Sequence, residues 1–165
     1  WNALEPTTRV FIATAEQVFR THRGDKAFDF SPVFGSFAKA LEVQCNAILR
    51  RAFRQMDREV RTVRIGDASV DLATGRPLML GQIVRVVGGD QRINRALSSM
   101  LDHGGWFVGE FMVTLDNFVL LRNDATHTSA VDRDIAVRWR NRFMGVGSIG
   151  EFVELGKVRV KKAIR

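Results

Sequence analysis

The sequence predicts an all-α protein, a bundle of about four to five main helices with a loop or small hairpin near residues 61–77 and a short extended tail. Apolar residues recur at helical spacing over most of the chain, and capping residues precede the apolar stretches. At 165 residues the chain can bury a substantial core, so we expect a single domain over residues 1–165. Because the chain begins at Trp1, it could also be a fragment of a longer protein.

The first two helices are predicted from their starts and their apolar stripes. Pro6-Thr7-Thr8 begins the first helix, and Arg23-Gly24 ends it. Ser31-Pro32 begins the second, with serine as N-cap and proline at the first helical position. The stripe of the second helix extends over more than six predicted turns and consists of Phe34, Phe37, Ala38, Leu41, Cys45, Ile48, Leu49, Ala52 and Met56.

Four arginines, Arg50, Arg54, Arg58 and Arg61, lie opposite this stripe on an ideal helix. Such a ridge could follow a phosphate backbone, which makes these residues candidate RNA contacts. The alternative is an ordinary solvated helix face. Glu42 lies at the edge of the apolar stripe, where it could pair with a buried arginine or with a nearby polar side chain.

The middle of the chain is predicted to be broken into short elements. Residues 61–77 contain turn signals and few helix signals. Leu78–Val87 is predicted as a short helix, and Asp90 as the cap of another whose inner face is Ile93, Leu97 and Leu101. His103-Gly104-Gly105 is predicted to be a sharp stop.

A long apolar helix follows, with Phe107, Phe111, Leu115, Phe118 and Val119 on one face. Arg122 falls on the same face, where a cation is costly unless it is paired or reaches a site. A continuous helix would turn His127 roughly 140° away from Arg122. The two could therefore share a site only if the helix breaks at Asn123 and Asp124, or if a second copy of the chain supplies the other half.

After His127, both Thr128-Ser129 and Asp132 are predicted caps for a last helix, in which Ile135, Ala136, Trp139 and Phe143 face inward. Gly145-Val146-Gly147 is predicted to end it. The segment from Glu151 to Val160 alternates weakly and is predicted to be a short strand or hairpin.

The amino-acid composition and the net charge limit the classes of function that we expect for this chain. The net charge of +7 comes mainly from twenty arginines against five lysines, which favours nucleic acid as a partner, although the charge could also serve solubility alone. Cys45 is the only cysteine and is expected to be a buried thiol. No pattern indicates a zinc site, a phosphate-binding loop, a dinucleotide site or a membrane span, so we expect no metal, no cofactor and a cytoplasmic protein.

Two stretches resemble the HEPN superfamily. Arg122-Asn123-x-x-x-His127 is similar to the R-N-x(3)-H form of the R-x(4–6)-H motif of that superfamily. Asp29-Phe30-Ser31-Pro32, followed by Ala38-Lys39-Ala40-Leu41-Glu42, resembles the start of a long HEPN helix with its K-A-x-E-like turn. The order of the predicted helices is also similar. The region of residues 61–77 and the tail after Gly145 have no counterpart in the resemblance.

The resemblance implies a helical domain that forms homodimers, with two motifs meeting in a cleft, and a metal-independent endoribonuclease that leaves a 2′,3′-cyclic phosphate. His127 would then be the acid or base, and Arg122 the phosphate clamp. Asn123 would orient the phosphate or His127, Asp124 would steady the pair, and Glu42 would hold Arg122. Enzymes of this kind are often toxins or antiviral effectors controlled by an antitoxin or another regulatory partner.

Two other interpretations stay open. Arg122 could be a structural arginine bound to Glu42 in a non-catalytic HEPN-like module that binds nucleotides or mediates dimerisation. The chain could also be a basic helical domain that binds nucleic acid through the arginine ridge. These interpretations differ in what the substitutions Arg122→Ala and His127→Ala should do.

Overall fold

The computed structural model describes residues 1–127 and 130–162, and for residues 125–127 it describes the backbone alone. This part of the chain is mostly helical, which confirms the all-α class at that level. Its α-helices are α1 (Pro6–His22), α2 (Ser31–Phe53), α3 (Arg58–Arg61), α4 (Leu80–Ile83), α5 (Gln91–Met100), α6 (Gly104–Trp106), α7 (Met112–His127), α8 (Arg133–Met144) and α9 (Glu151–Leu155). Its strands are β1 (Thr62–Ile65), β2 (Ala68–Asp71), β3 (Leu101–Asp102) and β4 (Arg159–Val160). Two π-helical segments, Val84–Gly88 and Phe107–Phe111, follow α4 and α6.

The backbone divides into two compact units. Unit 1 contains Trp1–Gln44 and Asn117–Gly156, and unit 2 contains Cys45–Asp116 and Lys157–Arg165. Two of the three boundaries fall within α2 and α7, and the third lies after α9, between Gly156 and Lys157. The expectation of a single domain over residues 1–165 stays a prediction.

Unit 1 is built around a cluster of aromatic rings. Phe143 of α8 is at its centre, with ring centroids 4.9 Å from Phe118, 5.4 Å from Phe37 and 5.4 Å from Trp139. Phe37, Phe118 and Phe143 are all at most 1% exposed. Tilted and edge-on arrangements at these distances add to the gain from burial. The cluster therefore fixes how α2, α7 and α8 pack within unit 1.

The segment after α8 differs from the prediction. Gly145 has a φ of 82° and terminates α8 in the left-handed conformation that favours glycine. Residues Glu151–Leu155 then form the short helix α9, and not the predicted strand or hairpin. The weak alternation misled the prediction because Phe152 and Leu155, three residues apart, are both buried on one face of a helical turn.

In unit 2, α2 ends at Phe53, before the predicted end of its apolar stripe. Met56 is buried as expected, but residues 54–57 leave the helix through a turn. The Arg61 Nη1 group donates to the carbonyl oxygens of Phe53 (3.3 Å), the last residue of α2, and Met56 (3.2 Å), in the turn that follows. Arg61 also pairs with Asp71, with 3.0 Å between Nε and Oδ1. The end of α2 is thus held by a distant side chain, with no glycine or proline to signal it.

The predicted loop or small hairpin near residues 61–77 is a hairpin. Strands β1 and β2 pair antiparallel, with Val63 opposite Val70 and Ile65 opposite Ala68. The connection is Gly66-Asp67, and Gly66 has a φ of 62°, as two-residue hairpin turns require. In a second small sheet β4 pairs with β3, so the extended tail is confirmed for Arg159–Val160.

The helical part of unit 2 confirms the predicted cap at Asp90. The Asp90 carboxylate accepts hydrogen bonds from the backbone N–H groups of Arg92 and Ile93 at the start of α5. Further along α5, the Asn94 side-chain amide donates to Val87 O (3.1 Å) and Val108 O (3.4 Å). These carbonyl groups belong to the two π-helical segments, whose widened turns disturb the normal backbone hydrogen bonding. Asn94 therefore ties both segments to α5.

No helix in the described part of the chain is both long enough and apolar enough to cross a bilayer.

Candidate functional site

The long helix places its predicted face inward. Phe107, Phe111, Leu115, Phe118 and Val119 are all buried, as the apolar pattern predicts. Arg122 follows on that face near the end of α7, where it is half-buried and not fully enclosed. Arg122 is thus partly shielded by the protein and also lines a pocket.

Arg122 lines a pocket of about 360 Å³ in unit 1 together with residues of α2. Ser31, Gly35, Lys39 and Glu42 contribute one polar edge of α2, because residues three or four apart lie on one helix face. Phe34 and Ala38 supply the apolar part of the lining. The pocket therefore combines two cations, Lys39 and Arg122, with one carboxylate, Glu42.

Lys39 and Arg122 are oriented by different neighbours. The Lys39 Nζ atom lies 5.6 Å from the centroid of the Phe11 ring, within cation–π range. Arg122 Nη1 donates a hydrogen bond of 3.2 Å to the side-chain oxygen of Asn123. The structure thus brings Arg122 and Glu42 to the same pocket and places Asn123 next to Arg122. Whether these groups act on a substrate stays a prediction.

Helix α7 has no break at Asn123 and Asp124, the two residues at which the sequence left a break open. Both side chains are exposed, and α7 continues through them to His127. The His127 side chain lies outside the described residues, as do Thr128 and Ser129. Since the backbone is helical from Arg122 to His127, the first of the two alternatives, a break at Asn123 and Asp124, does not occur. Ideal helix geometry separates the two positions by roughly 140°.

Asp29 fixes the start of α2, next to the pocket. One carboxylate oxygen, Oδ1, accepts hydrogen bonds from Ser31 Oγ (2.6 Å), Ser31 N (3.0 Å) and Val131 N (2.9 Å). Phe30 N in turn donates to Val131 O at 3.0 Å. The N-cap role predicted for Ser31 is thus taken largely by Asp29, which also joins the start of α2 to the segment before α8.

These hydrogen bonds make the stability of unit 1 depend on pH. The hydrogen bond from the Ser31 hydroxyl lowers the pKa of Asp29 below its ordinary value, and the N–H groups of Ser31 and Val131 act in the same direction. A carboxylate with a lowered folded-state pKa stabilises the protein above its unfolded-state pKa, and this contribution is lost as the pH falls through the folded-state value.

Asp29→Asn should therefore lower the free energy of unfolding at pH 7 by about 1 kcal/mol. It should also reduce the further loss of stability as the pH falls below about 4, where the carboxylate is protonated in the unfolded chain before it is protonated in the folded protein. Urea denaturation at pH 7 and pH 3 measures both effects. Asp57→Asn is the control, because Asp57 is exposed and its side chain makes no cap hydrogen bond; an equal response of both variants would contradict the role of Asp29.

Gly35 provides a way to alter the pocket without disturbing the core. It lies within α2, and a Cβ atom at this position would meet nothing within 4 Å. Gly35→Ala should raise the free energy of unfolding by up to about 1 kcal/mol, because alanine favours the helix. Thermal denaturation tests this, with Gly145→Ala as the opposite case, since Gly145 has a φ of 82° and a Cβ would lie 2.6 Å from Gly150 N. Destabilisation by Gly35→Ala would show that the space at Gly35 is not free.

The arginine ridge predicted on α2 does not exist as one helix face. Arg50 is on α2, Arg54 lies in the turn that follows, and Arg58 and Arg61 belong to α3. The guanidinium group of Arg50 donates a hydrogen bond to Gly75 O at 3.1 Å. The guanidinium group of Arg61 binds the Asp71 carboxylate and two backbone carbonyl groups. The prediction was wrong in its geometry because α2 ends at Phe53. A nucleic-acid contact by any of the four stays untested.

Sequence reasoning did not assign Gly35 or Lys39 to the site. Their signal was the spacing of Ser31, Gly35, Lys39 and Glu42, which places small and polar residues along one edge of the apolar stripe. In the residues that the structure describes, no group of three or more His, Cys, Asp or Glu side chains is arranged to hold a metal ion.

Comparisons with known proteins add no family. The chain matches no protein-family model, no curated protein and no solved structure. The candidate site therefore depends on its own geometry and on the residues that resemble the HEPN motif.

Proposed function

We propose that this chain is a metal-independent endoribonuclease of the HEPN type, with Arg122 and His127 as its catalytic residues. The observation that carries the proposal is the position of Arg122, half-buried at the end of α7 and lining a pocket with Lys39 and Glu42. Arginine is well suited to a phosphate because its planar group donates two parallel hydrogen bonds.

The reaction follows from these residue types. A base removes the proton of the ribose 2′-OH, and this oxygen attacks the adjacent phosphorus. The bond from phosphorus to the 5′-oxygen breaks, and an acid protonates that oxygen, so the products are a 2′,3′-cyclic phosphate and a 5′-OH. Histidine titrates near neutral pH and can act as either acid or base. Arg122 stabilises the additional negative charge on the phosphoryl oxygens.

The geometry of α7 favours an active site made by two copies of the chain. Because α7 is continuous from Arg122 to His127, one helix turns the two positions apart. A symmetric dimer would let the motif of one protomer face that of its partner, so that Arg122 and His127 act on one phosphate. In this proposal the pocket beside Glu42 receives the scissile phosphate.

Cleavage of a labelled mixed-sequence RNA in the presence of EDTA tests the proposal. Wild type should cleave and leave cyclic phosphate ends. His127→Ala should reduce the rate by about 10²–10⁴-fold, the usual contribution of an acid or base, and Arg122→Ala by about 10²–10³-fold. Both variants should keep the circular dichroism spectrum of wild type.

Two further variants serve as controls for the cleavage assay. His22→Ala removes a histidine that stacks on Phe28 and lies outside the pocket, so it should cleave like wild type. Gly35→Trp should fill the pocket and inhibit cleavage, while Gly35→Ala should not. Equal cleavage by wild type and His127→Ala would refute the assigned site.

The second candidate is a non-catalytic module in which Arg122 is structural. The observation in its favour is the half-buried position of Arg122 beside Glu42. In that case wild type would not cleave RNA, and Arg122→Ala would destabilise the protein by on the order of 3 kcal/mol.

If the proposed ribonuclease is a toxin or antiviral effector, its expression should slow growth unless a regulatory partner is present or His127 is replaced.

A further inference from the structure

The charge of the protein is concentrated in unit 2. Unit 1 contains ten arginine and lysine residues and ten acidic residues, so its formal net charge is zero. Unit 2 contains fifteen arginine and lysine residues and eight acidic residues, and so accounts for the whole excess of +7. A basic excess in one unit creates a positive potential that attracts anionic ligands to that unit.

Unit 2 contains a pocket of about 540 Å³, within the usual size range of small-molecule sites. Strand β1 lines one side, and the residues from α4 to the start of α5 line the other. Val63, Ile65 and Val86 give it an apolar surface, and Val63 and Val86 are themselves buried. Three arginines, Arg64, Arg85 and Arg92, also line it, and all three are exposed.

The three arginines differ in how they are held. Arg92 is fixed by Asp90, with 2.9 Å between Nη2 and Oδ2, and Glu59 adds a further favourable charge. The Asp90 carboxylate also caps α5, so its charge is already engaged. The side chains of Arg64 and Arg85 have no hydrogen-bond or ion-pair partner among the residues described by the structure. These two guanidinium groups are therefore available to an anion that enters the pocket.

We propose that this pocket binds a nucleoside phosphate, either as a free nucleotide or as one nucleotide of an RNA strand. Arg64 and Arg85 would bind the phosphate oxygens, since guanidinium groups match phosphate geometry. Ile65, together with the small exposed parts of Val63 and Val86, would pack against the base or ribose. A plain inorganic anion would use the arginines but leave that surface uncovered.

This inference goes beyond the proposed ribonuclease, because the pocket is in unit 2 and does not include Arg122 or His127. The pocket also differs from the predicted ridge, because none of the four ridge residues lines it: Arg50, Arg54, Arg58 and Arg61. Binding here does not depend on cleavage, so the two proposals can fail separately.

Binding titrations of the full chain test the inference. The probes are a fluorescent 12-nucleotide RNA with 2′-O-methyl riboses, which cannot be cleaved through the 2′-oxygen, and separately AMP, ATP and inorganic phosphate. The pocket variant is Arg64→Gln with Arg85→Gln. The matched control is Arg76→Gln with Arg95→Gln, which removes the same charge from exposed arginines of unit 2 that lie outside both the pocket and the predicted ridge.

We expect the pocket variant to weaken binding by at least about tenfold, given the strength of charge-assisted hydrogen bonds. If RNA is the ligand, the slope of log K against the logarithm of the salt concentration should also become less steep by about 1.4, the value for two phosphate contacts on a single strand. The control should stay within about threefold of wild type, as expected for exposed charges outside the site.

The probes distinguish the two sources of the ligand. Loss of RNA binding alone would identify an RNA strand, and loss of AMP or ATP binding alone would identify a free nucleotide; either result supports the pocket. Equal weakening by the pocket variant and the control would show diffuse charge attraction and overturn the proposal. Absence of binding by wild type to the RNA and to both nucleotides at low salt would overturn it as well, as would binding of inorganic phosphate as tight as that of AMP.

Discussion

Phe143→Ala is expected to lower the free energy of unfolding by about 3–5 kcal/mol, the usual cost of removing a fully buried phenylalanine. Phe143 is 1% exposed, and its ring contacts those of Phe37, Phe118, Trp139 and Phe152. The substitution would leave a cavity where these rings meet, because the surrounding helices can collapse only partly. Urea denaturation monitored by circular dichroism measures the change.

Phe28→Ala is the matched control, since it removes the same side chain from a half-buried position before α2. Its ring stacks on His22 with 3.8 Å between centroids, but it is not part of the Phe143 cluster. We expect a loss of about half that of Phe143→Ala or less, in proportion to the buried area. Equal losses for the two variants would mean that the aromatic cluster is not the centre of unit 1.

The predictable parts of this fold were those encoded by local patterns. The apolar stripes predicted the buried residues of the long helix, and Asp90 and Asp132 were among the predicted N-caps. Turn signals and the scarcity of helix signals in residues 61–77 indicated a loop or small hairpin. Each of these signals acts over a few residues, so the sequence shows it directly.

The parts that could not be predicted depend on distant contacts. The end of α2 at Phe53 has no local stop signal and is held by Arg61, eight residues later. Asp29 took over the cap because it also reaches Val131, 102 residues away. Helical periodicity predicts which face is buried, but it does not show which side chains from elsewhere will satisfy the helix end.

The binding sites also differ in how far local sequence patterns could predict them. The spacing along the long helix placed Arg122 on the inner face, and the edge of the second helix suggested Glu42 as its neighbour; both line one pocket. The arginine pocket of unit 2 was not identified, because Arg64, Arg85 and Arg92 come from three separate elements. Arg64 lies on β1, Arg85 on the π-helical segment Val84–Gly88 and Arg92 on α5, so only the folding of unit 2 brings them together.

The other large effect is expected at the ion pair between Glu16 and Arg140 in unit 1. The Arg140 guanidinium donates two hydrogen bonds to the Glu16 carboxylate, with Nε–Oε1 at 2.6 Å and Nη2–Oε2 at 2.7 Å. Glu16 is 8% exposed, and Arg140 also lies over the Phe19 ring at 5.0 Å. Removing one partner leaves a charge in a poorly solvated position.

Arg140→Ala is therefore expected to lower the free energy of unfolding by about 3–5 kcal/mol. The remaining cation near Glu16 is Arg20, whose side chain is 70% exposed and 3.5 Å away, so it compensates little. Arg20→Ala is the matched control and should cost about 0.5 kcal/mol, as for an exposed pair within a helix. Urea denaturation at pH 7 gives both values.

A double substitution separates the attraction between the two charges from the cost of burying them. Glu16→Met with Arg140→Met removes both charges and keeps most of the buried volume, so it should cost much less than Arg140→Ala alone. If the double variant were as unstable as Arg140→Ala, the loss would come from packing against Phe19 and not from a stranded carboxylate. If Arg140→Ala cost no more than Arg20→Ala, the pair would be solvated and the buried position of Glu16 would have to be abandoned.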